Sequence, residues 1–311
     1  MFTILGAGGA IGNELVKLLA LRKPPFRLVG RNPRMVPGAG EVHPADLSSR
    51  AQTTPAVAGS SIVFLLAGLK YDGKIWAETW PRIMANTIEA CQRANARLVF
   101  FDNVYMYGKV DGLMTEDTPF NPTSKKGEIR ARIATSLINE WKAGGITAMI
   151  VRSADFYGPD ARTSVPNVLV FEPMAKKQKP SWLVNDSVPH SYSYTPDAAE
   201  ALLTLSESSS AWNQTWHVPT PSNPLTGKQF ITLAAQEMGV PPKYRVLSRP
   251  MIKLVGWFNS DVGESYEMLY QSDSPCLFDS SKFARAFGFA GTPHAEGIRR
   301  TAASYKKPAE V

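Results

Sequence analysis

The sequence predicts an α/β fold, a doubly wound parallel sheet followed by a smaller C-terminal lobe. Short apolar runs alternate with helical periods through the first half of the chain, a pattern typical of βαβ units. The first run, Met1 to Leu5, breaks directly into the glycine-rich stretch from Gly6 to Gly12. After residue 158 prolines cluster and the elements become short, as expected of a lobe placed over the C-terminal edge of a sheet.

Each element is assigned from its own residue pattern. The clearest helix is 127–143, because apolar side chains recur every four residues from Ile129 to Trp141 and Gly144-Gly145 ends it. The predicted strands are 1–5, 26–30, 41–44, 61–66, 97–102 and 146–151, with a late strand, 214–218, that returns to the sheet. Other predicted helices are 73–95, 226–238, 261–271 and a short one capped by Asp279-Ser280-Ser281 that ends at Gly288.

These elements divide the 311 residues into two parts. Residues 1–158 form a Rossmann-type domain whose sheet the late strand completes, and 159–311 form most of a substrate-binding lobe. A chain of this length can bury the core that such an arrangement needs. The last residues, Lys306 to Val311, are expected to fray.

Composition excludes several classes of protein. Apolar residues make up 44% and charged residues 20%, which are ordinary globular values. No apolar run approaches the ~18 residues of a membrane helix, and the first strand begins at Met1, so neither a span nor a signal peptide is expected. Two cysteines do not make a disulfide framework, which favours a cytoplasmic location. The four histidines lack the spacing of metal ligands.

The net charge of +7 comes from short basic patches without interleaved aromatic residues. A nucleic-acid groove would show both features together. An anionic cofactor or substrate accounts for this moderate positive charge more simply.

The glycine-rich stretch has the order strand, Gly-x-x-Gly-x-x-Gly, helix, with glycines at Gly6, Gly9 and Gly12. This order is typical of dinucleotide-binding sites, where the pyrophosphate lies at the helix N-terminus, here beside Ala10 and Ile11. The alternative is a glycine-rich turn that binds no ligand.

The second strand is followed at once by Arg31, Asn32 and Arg34. An NAD site carries an acidic residue about 20 residues after the glycines, and this chain has Arg31 nineteen residues after Gly12. A guanidinium binds a 2′-phosphate that a carboxylate would repel. The sequence therefore favours NADP(H), the alternative being that these arginines are solvated loop residues.

Six further segments form an ordered set of motifs along nearly the whole chain. They are Asp46-Leu47, Leu66-Ala67-Gly68, Asn103 to Gly108, the spaced Glu116, Pro119 and Pro122, Arg152 to Pro159, and Tyr194 to Ala199. In this order they resemble the extended short-chain dehydrogenase/reductase family, which includes sugar-nucleotide epimerases and dehydratases. The resemblance implies that Asp46 contacts adenine, and that Leu47, Leu66, Ala67, Gly68 and Phe156 also line the cofactor site.

The resemblance breaks at the catalytic residues. The family's Tyr-x-x-x-Lys motif falls on Lys126 and Arg130, and its Ser or Thr falls on Asn103. The usual triad is therefore absent, as in an atypical branch of the family.

Two residues, Lys126 and Tyr105, are alternative proton donors. Lys126 could donate if the neighbouring cation Arg130 lowered its pKa, and Arg130 could hold the nicotinamide ribose or a substrate carboxylate. The alternative is that both are solvated helix residues. The resemblance places the Tyr105 phenol toward the substrate, as an acid or as an aromatic wall, and Asn103 could orient a carbonyl.

These observations leave two functions open. The first is an NADP(H)-dependent oxidoreductase or epimerase-like enzyme acting on a small carbonyl or hydroxyl compound. The second is a non-catalytic NADP(H)-binding redox sensor. The partners expected are a small-molecule substrate, no nucleic acid and no membrane. The family resemblance implies a homodimer formed through helices 73–95 and 127–143, the alternative being that the apolar residues of these helices serve only the core.

Overall fold

The computed structural model of the chain describes residues 1–306. Its strands are β1 (Phe2–Leu5), β2 (Phe26–Gly30), β3 (Glu41–Pro44), β4 (Ile62–Leu65), β5 (Arg97–Asp102), β6 (Leu113–Met114), β7 (Ala148–Arg152), β8 (Asp155–Tyr157), β9 (Ser181–Leu183), β10 (Pro189–His190), β11 (Tyr192–Tyr194), β12 (Thr215–His217), β13 (Leu225–Thr226), β14 (Arg245–Leu247) and β15 (Leu277–Phe278).

The α-helices alternate with these strands through the first half. They are α1 (Ala10–Arg22), α2 (Arg50–Val57), α3 (Gly73–Ala94), α4 (Lys125–Lys142), α5 (Glu172–Ala175), α6 (Thr195–Glu207), α7 (Gly227–Met238), α8 (Arg249–Gly256), α9 (Ser260–Ser265), α10 (Tyr270–Asp273), α11 (Ser281–Phe287) and α12 (His294–Lys306). Single turns of 3₁₀ helix occur at Tyr105–Tyr107, Ser209–Ala211 and Tyr266–Met268, and a π-helical turn at Asn167–Phe171.

The central sheet has seven strands in the order β12-β7-β5-β4-β1-β2-β3. The five pairs from β7 to β3 are parallel. Strands β4 and β7 are buried along their whole length, as expected of parallel strands covered on both faces. The order reverses on either side of β1, so the doubly wound α/β fold is confirmed.

Local signals set the ends of the helices that flank the site. Asp72 caps α3 by accepting a 2.9 Å hydrogen bond from the Ile75 N–H, and Asn95 ends the helix with a left-handed φ of 50°. At α4, Ser124 accepts from the Gly127 N–H at 3.0 Å. Side-chain caps of this kind satisfy N–H groups that the first turn leaves without a partner.

The described chain forms two compact units. The first comprises 1–108, 120–153 and 198–216 and holds the central sheet as far as Trp216. The second comprises 109–119, 154–197 and 217–311, of which the structure describes residues up to Lys306. Its core is rich in aromatic side chains, among them Tyr157, Phe171 and Phe230.

One predicted helix differs from the structure. Residues 261–271 are divided among α9, the 3₁₀ turn Tyr266–Met268 and α10. The segment contains Gly263 and Ser265, and both are weaker helix formers than alanine, which explains the interruption. The short helix predicted after Asp279 is confirmed as α11, ended by Gly288 at φ 70°. Of the tail predicted to fray, 307–311 lie outside the described residues.

Residues 1–306 lack two features, a membrane-spanning helix and a cluster of metal ligands. No helix there is both long and apolar enough to cross a bilayer. Nor does that part of the chain bring together three or more His, Cys, Asp or Glu side chains able to hold a metal ion.

Candidate functional site

The turn after β1 lies in close contact with the turn after β4. Gly6 has a φ of 93° and donates a 2.9 Å hydrogen bond from its N–H to the Val29 carbonyl. A Cβ at Gly6 would overlap the Cα of Ala67, which follows β4. Any other residue would therefore strain the backbone and push these two turns apart.

The start of α1 forms a cradle made only of backbone. Gly8 has a φ of 106° and an added Cβ there would meet no atom within 4 Å, so space is open beside the turn. Gly9 is the N-cap without a side-chain bond, and the next N–H groups, those of Ala10, Ile11 and Gly12, belong to the first turn. Such N–H groups and the helix dipole favour an anion. The cradle fits the pyrophosphate of a dinucleotide.

The end of β2 is basic and exposed to solvent. Arg31, Asn32 and Arg34 are all exposed. Asp46 lies close enough to interact with the charge of Arg31. Hydrogen bonds from the backbone and hydroxyl of Ser48 lower the pKa of Asp46 most, and the charge of Arg31 adds to the lowering. The structure therefore places a cation where an NAD site would carry an acid, and keeps Asp46 ionised.

The remaining predicted cofactor residues belong to several separate segments of the chain. Leu47 is buried, and its carbonyl accepts a 3.0 Å hydrogen bond from the Asn86 side chain. Leu66 and Ala67 are half-buried, and Gly68 is exposed. Phe156 belongs to β8 in the second unit and is also half-buried.

The segment after β5 makes a tight turn around Asn103. The Asn103 Oδ1 accepts a 3.0 Å hydrogen bond from the Tyr105 N–H, which starts the 3₁₀ turn. Gly108 ends the turn with a φ of 68°, and a Cβ there would collide with the Asn121 carbonyl oxygen. The motif identified in the sequence is thus a compact loop with a fixed Asn103 side chain.

Gly127 allows the start of α4 to contact this loop. A Cβ at Gly127 would lie 2.6 Å from the Tyr105 carbonyl oxygen and 3.0 Å from the Ser124 hydroxyl. The close approach brings Lys126, one residue earlier, to the loop that carries Tyr105. The two predicted proton donors, Lys126 and Tyr105, therefore belong to elements that are in contact, α4 and the loop after β5.

Lys126, two tyrosines and a tryptophan form a group that we call the tyrosine–lysine cluster, consisting of Tyr71, Trp76, Tyr105 and Lys126. Only 1% of Lys126 is exposed, and its Nζ lies 4.7 Å from the Tyr71 ring centre. The Tyr71 and Tyr105 hydroxyl oxygens are 3.5 Å apart. Trp76 stacks on Tyr105 at 6.4 Å and meets Tyr71 edge-on at 5.5 Å.

Arg130 lies in the interior, bound to a carboxylate that sequence reasoning missed. Its Nε donates a 2.7 Å hydrogen bond to Oδ1 of Asp102, and its Nη2 contacts the same oxygen. The guanidinium also lies 4.4 Å from the Trp80 ring centre and 5.0 Å from that of Phe100. The available signal was the acidic residue that directly follows the apolar run Leu98 to Phe101.

Asp102 joins this arginine to a second one and to the loop that carries Asn103. Its Oδ1 accepts a 2.8 Å hydrogen bond from the Asn103 N–H, and its Oδ2 lies 3.8 Å from Nε of Arg152. Arg152 in turn donates a 2.7 Å hydrogen bond to the Tyr107 hydroxyl. One carboxylate therefore ties β5, α4 and β7 to the loop that carries Asn103.

The structure thus places the four predicted catalytic residues on two segments in contact, the loop after β5 and the first turns of α4. Asn103, Tyr105 and Lys126 lie at the loop and at the start of α4, whereas Arg130 binds Asp102. With only 1% of Lys126 and 4% of Arg130 exposed, the alternative that both are solvated is wrong. The contact of Arg130 with a ribose or carboxylate stays a prediction.

Comparisons with known proteins agree with this architecture. The fold is similar to that of a Thermus thermophilus UDP-glucose 4-epimerase solved with NAD, at a TM-score of 0.80 and 18% identity over 100% of this chain and 99% of that chain. A Thermotoga maritima UDP-glucose 4-epimerase gives 0.81 and 17%, and a Bacillus cereus UDP-glucuronic acid 4-epimerase solved with NAD gives 0.79 and 14%, each over 98% of both chains.

At these identities the solved structures show a shared fold. No curated protein matches the sequence. The family model described as NAD dependent epimerase/dehydratase matches residues 2–218, more than two thirds of the chain. Together with the glycine cradle and the extended short-chain dehydrogenase motifs, that match shows that the chain belongs to the NAD-dependent epimerase/dehydratase family.

Proposed function

We propose that the protein is an NADP(H)-dependent oxidoreductase or epimerase-like enzyme that acts on a small carbonyl or hydroxyl compound. The observation that carries the proposal is the tyrosine–lysine cluster. It sets a buried ammonium, Lys126, and the Tyr105 phenol at the positions that correspond to the family's active site. The usual triad is absent, yet groups that can exchange a proton remain there.

The cofactor preference is inferred from Arg31. Two of the solved structures described above, those from Thermus thermophilus and Bacillus cereus, contain NAD, whereas this chain has an exposed arginine at the end of β2. The first turn of α1 would hold the pyrophosphate, and Arg31 would hold the 2′-phosphate. A guanidinium there supports NADPH over NADH, because it forms charge-assisted bonds with the extra phosphate.

Bound NADP(H) would supply or accept the hydride at the substrate carbon. The protein must then supply or accept a proton at the substrate oxygen. Tyr105 is the first candidate for this transfer, and Lys126 is the second. The Asn103 side chain, with its Oδ1 already bonded to the Tyr105 N–H, can donate from Nδ2 to the same substrate oxygen and orient it.

A second function is supported by the position of Arg130. In this family a lysine stands there, whereas here the side chain is bonded to Asp102 inside the protein. A protein that holds NADP(H) without turnover, as a redox sensor, would also carry such a change. The two functions differ in whether any substrate is consumed.

The helices α3 and α4 also support self-association. A groove of about 410 Å³ crosses their faces and is lined by Ala85, Ile88, Arg132 and Ser136, among others. We infer that two copies associate there, as the family resemblance implies. Light scattering should show a dimer for the native protein and a monomer for Ser136→Arg.

The test of the proposed function is consumption of NADPH against a panel of aldehydes, ketones and nucleotide sugars. Turnover should fall at least tenfold in Tyr105→Phe or in Lys126→Met while NADPH affinity is unchanged. Tyr244→Phe, which removes a phenol bonded to Asp186, is the matched control. NADPH binding without turnover of any compound would favour the sensor.

A further inference from the structure

Tyr71 was not identified in the sequence, and it contacts both predicted proton donors. It lies in the segment between β4 and α3, whereas Tyr105 follows β5 and Lys126 belongs to α4. Strands β4 and β5 are parallel neighbours, so the segments that leave their C-terminal ends emerge side by side. The topology therefore brings Tyr71 to the active-site loop from a part of the chain that carries no catalytic motif.

The Tyr71 ring compensates the burial of Lys126. Removing an ammonium from water is costly unless other groups stabilise its charge. The Nζ lies 4.7 Å from the centre of the Tyr71 ring, within the range of a cation–π interaction, which strengthens when the cation is desolvated. Asp72 also interacts with this charge: a hydrogen bond from the Ile75 N–H lowers the pKa of Asp72 most, and Lys126 adds to the lowering.

The Tyr71 hydroxyl is directed to Tyr105. The two hydroxyl oxygens are 3.5 Å apart, at the outer limit of a hydrogen bond. Trp76 fixes both rings, because it stacks on one and packs edge-on against the other. Trp76 is itself held by a 2.9 Å hydrogen bond from its Nε1 to the Lys70 carbonyl.

We propose that Tyr71 is a positioning residue of the active site, whose ring holds the Lys126 ammonium and whose hydroxyl orients the Tyr105 hydroxyl. This role rests on the proposed function. In this family a tyrosine and a lysine one helical turn apart share the proton-transfer step. Here the lysine occupies the tyrosine position, and the phenols reach it from the ends of two strands. Tyr71 acts through these two residues and needs no contact with the substrate.

The contact with Lys126 is tested without any substrate, by urea unfolding of two double-mutant cycles. One cycle combines Lys126→Met with Tyr71→Leu, and the other combines it with Tyr71→Phe. The leucine cycle should show coupling on the order of tenfold in the unfolding constant, because the ring is lost. The phenylalanine cycle should show less than about twofold coupling, because that ring remains. Additive effects in both cycles would overturn the role of the ring.

The contact with Tyr105 is tested by turnover of a substrate found with NADPH. Tyr71→Phe should lower kcat several-fold with the KM for NADPH unchanged. In Tyr105→Phe the same change should have no further effect, since the Tyr71 hydroxyl acts only through Tyr105. Independent, multiplying losses, or a kcat equal to wild type in Tyr71→Phe, would overturn the role of the hydroxyl. A wild-type protein without turnover would instead overturn the proposed function, and the unfolding cycles would still decide whether Tyr71 holds Lys126.

Discussion

The Nε of Arg130 donates a 2.7 Å hydrogen bond to Oδ1 of Asp102, and both side chains are buried. Arg130 occupies the position of the family's catalytic lysine, yet its charge is paired within the protein. Asp102 also accepts from the Asn103 N–H, so this pair fixes the start of the loop that carries Asn103. We infer that Arg130 supports this loop through Asp102.

Asp102→Ala should destabilise the protein by about 3–5 kcal/mol, because breaking a buried ion pair leaves charge without compensation. The loss should exceed that of Arg130→Met, since Asp102 lies between two buried guanidinium groups, those of Arg130 and Arg152. Urea unfolding measures both changes. As a control, Glu200→Gln alters an exposed pair with Arg22 and should cost less than about 1 kcal/mol. Equal losses of unfolding free energy in Asp102→Ala and Glu200→Gln would contradict the stabilising role of the buried ion pair.

Gly127→Ala should lower stability by about 1–3 kcal/mol, since the added methyl group would press on the Tyr105 carbonyl oxygen. The matched control is Gly40→Ala, where the added atom would lie 3.6 Å from the nearest atom, an ordinary contact. Thermal unfolding of the two variants gives the comparison. A Tm for Gly127→Ala equal to that of Gly40→Ala would show that the contact between α4 and the loop is loose.

Arg31→Ala should weaken NADPH binding by about 1.5–3 kcal/mol, the contribution of hydrogen bonds to a charged group. NADH binding should change little, because NADH has no 2′-phosphate. Fluorescence titration of both cofactors measures the effect, with Arg300→Ala on α12 as a control for the loss of one charge. Equal weakening for NADPH and NADH would remove Arg31 from the 2′-phosphate site.

Stability should fall below neutral pH through His294. Burial lowers the pKa of His294 from 6.5 to about 4. Between these two pH values His294 is therefore protonated in the unfolded chain and neutral in the folded protein. This contribution is complete above about pH 6.5 and is lost as the pH falls toward 4. Between pH 7 and pH 4.5, wild type should lose about 2–3 kcal/mol more than His294→Phe in urea unfolding. A His294→Phe curve parallel to that of wild type would contradict the assignment.

The sequence was sufficient for the strands of the central sheet, because strands buried on both faces are continuous apolar runs bounded by turns. It was insufficient for 261–271, where the spacing of apolar residues outweighed the weak helix formers in the prediction. In the candidate site, Asn103, Tyr105 and Lys126 could be predicted because motifs carry them, and their roles stay predictions. Asp102 and Tyr71 were missed because their partners, Arg130 and Tyr105, are 28 and 34 residues away and no local pattern links them.

The most direct test of the account is a fluorescence titration of the purified protein with NADPH and with NADH. The cradle at α1 predicts that both bind, and the exposed Arg31 predicts that NADPH binds at least tenfold more tightly. Weaker binding of NADPH than of NADH would contradict the assignment of the cofactor. Failure of both to bind would contradict the site itself.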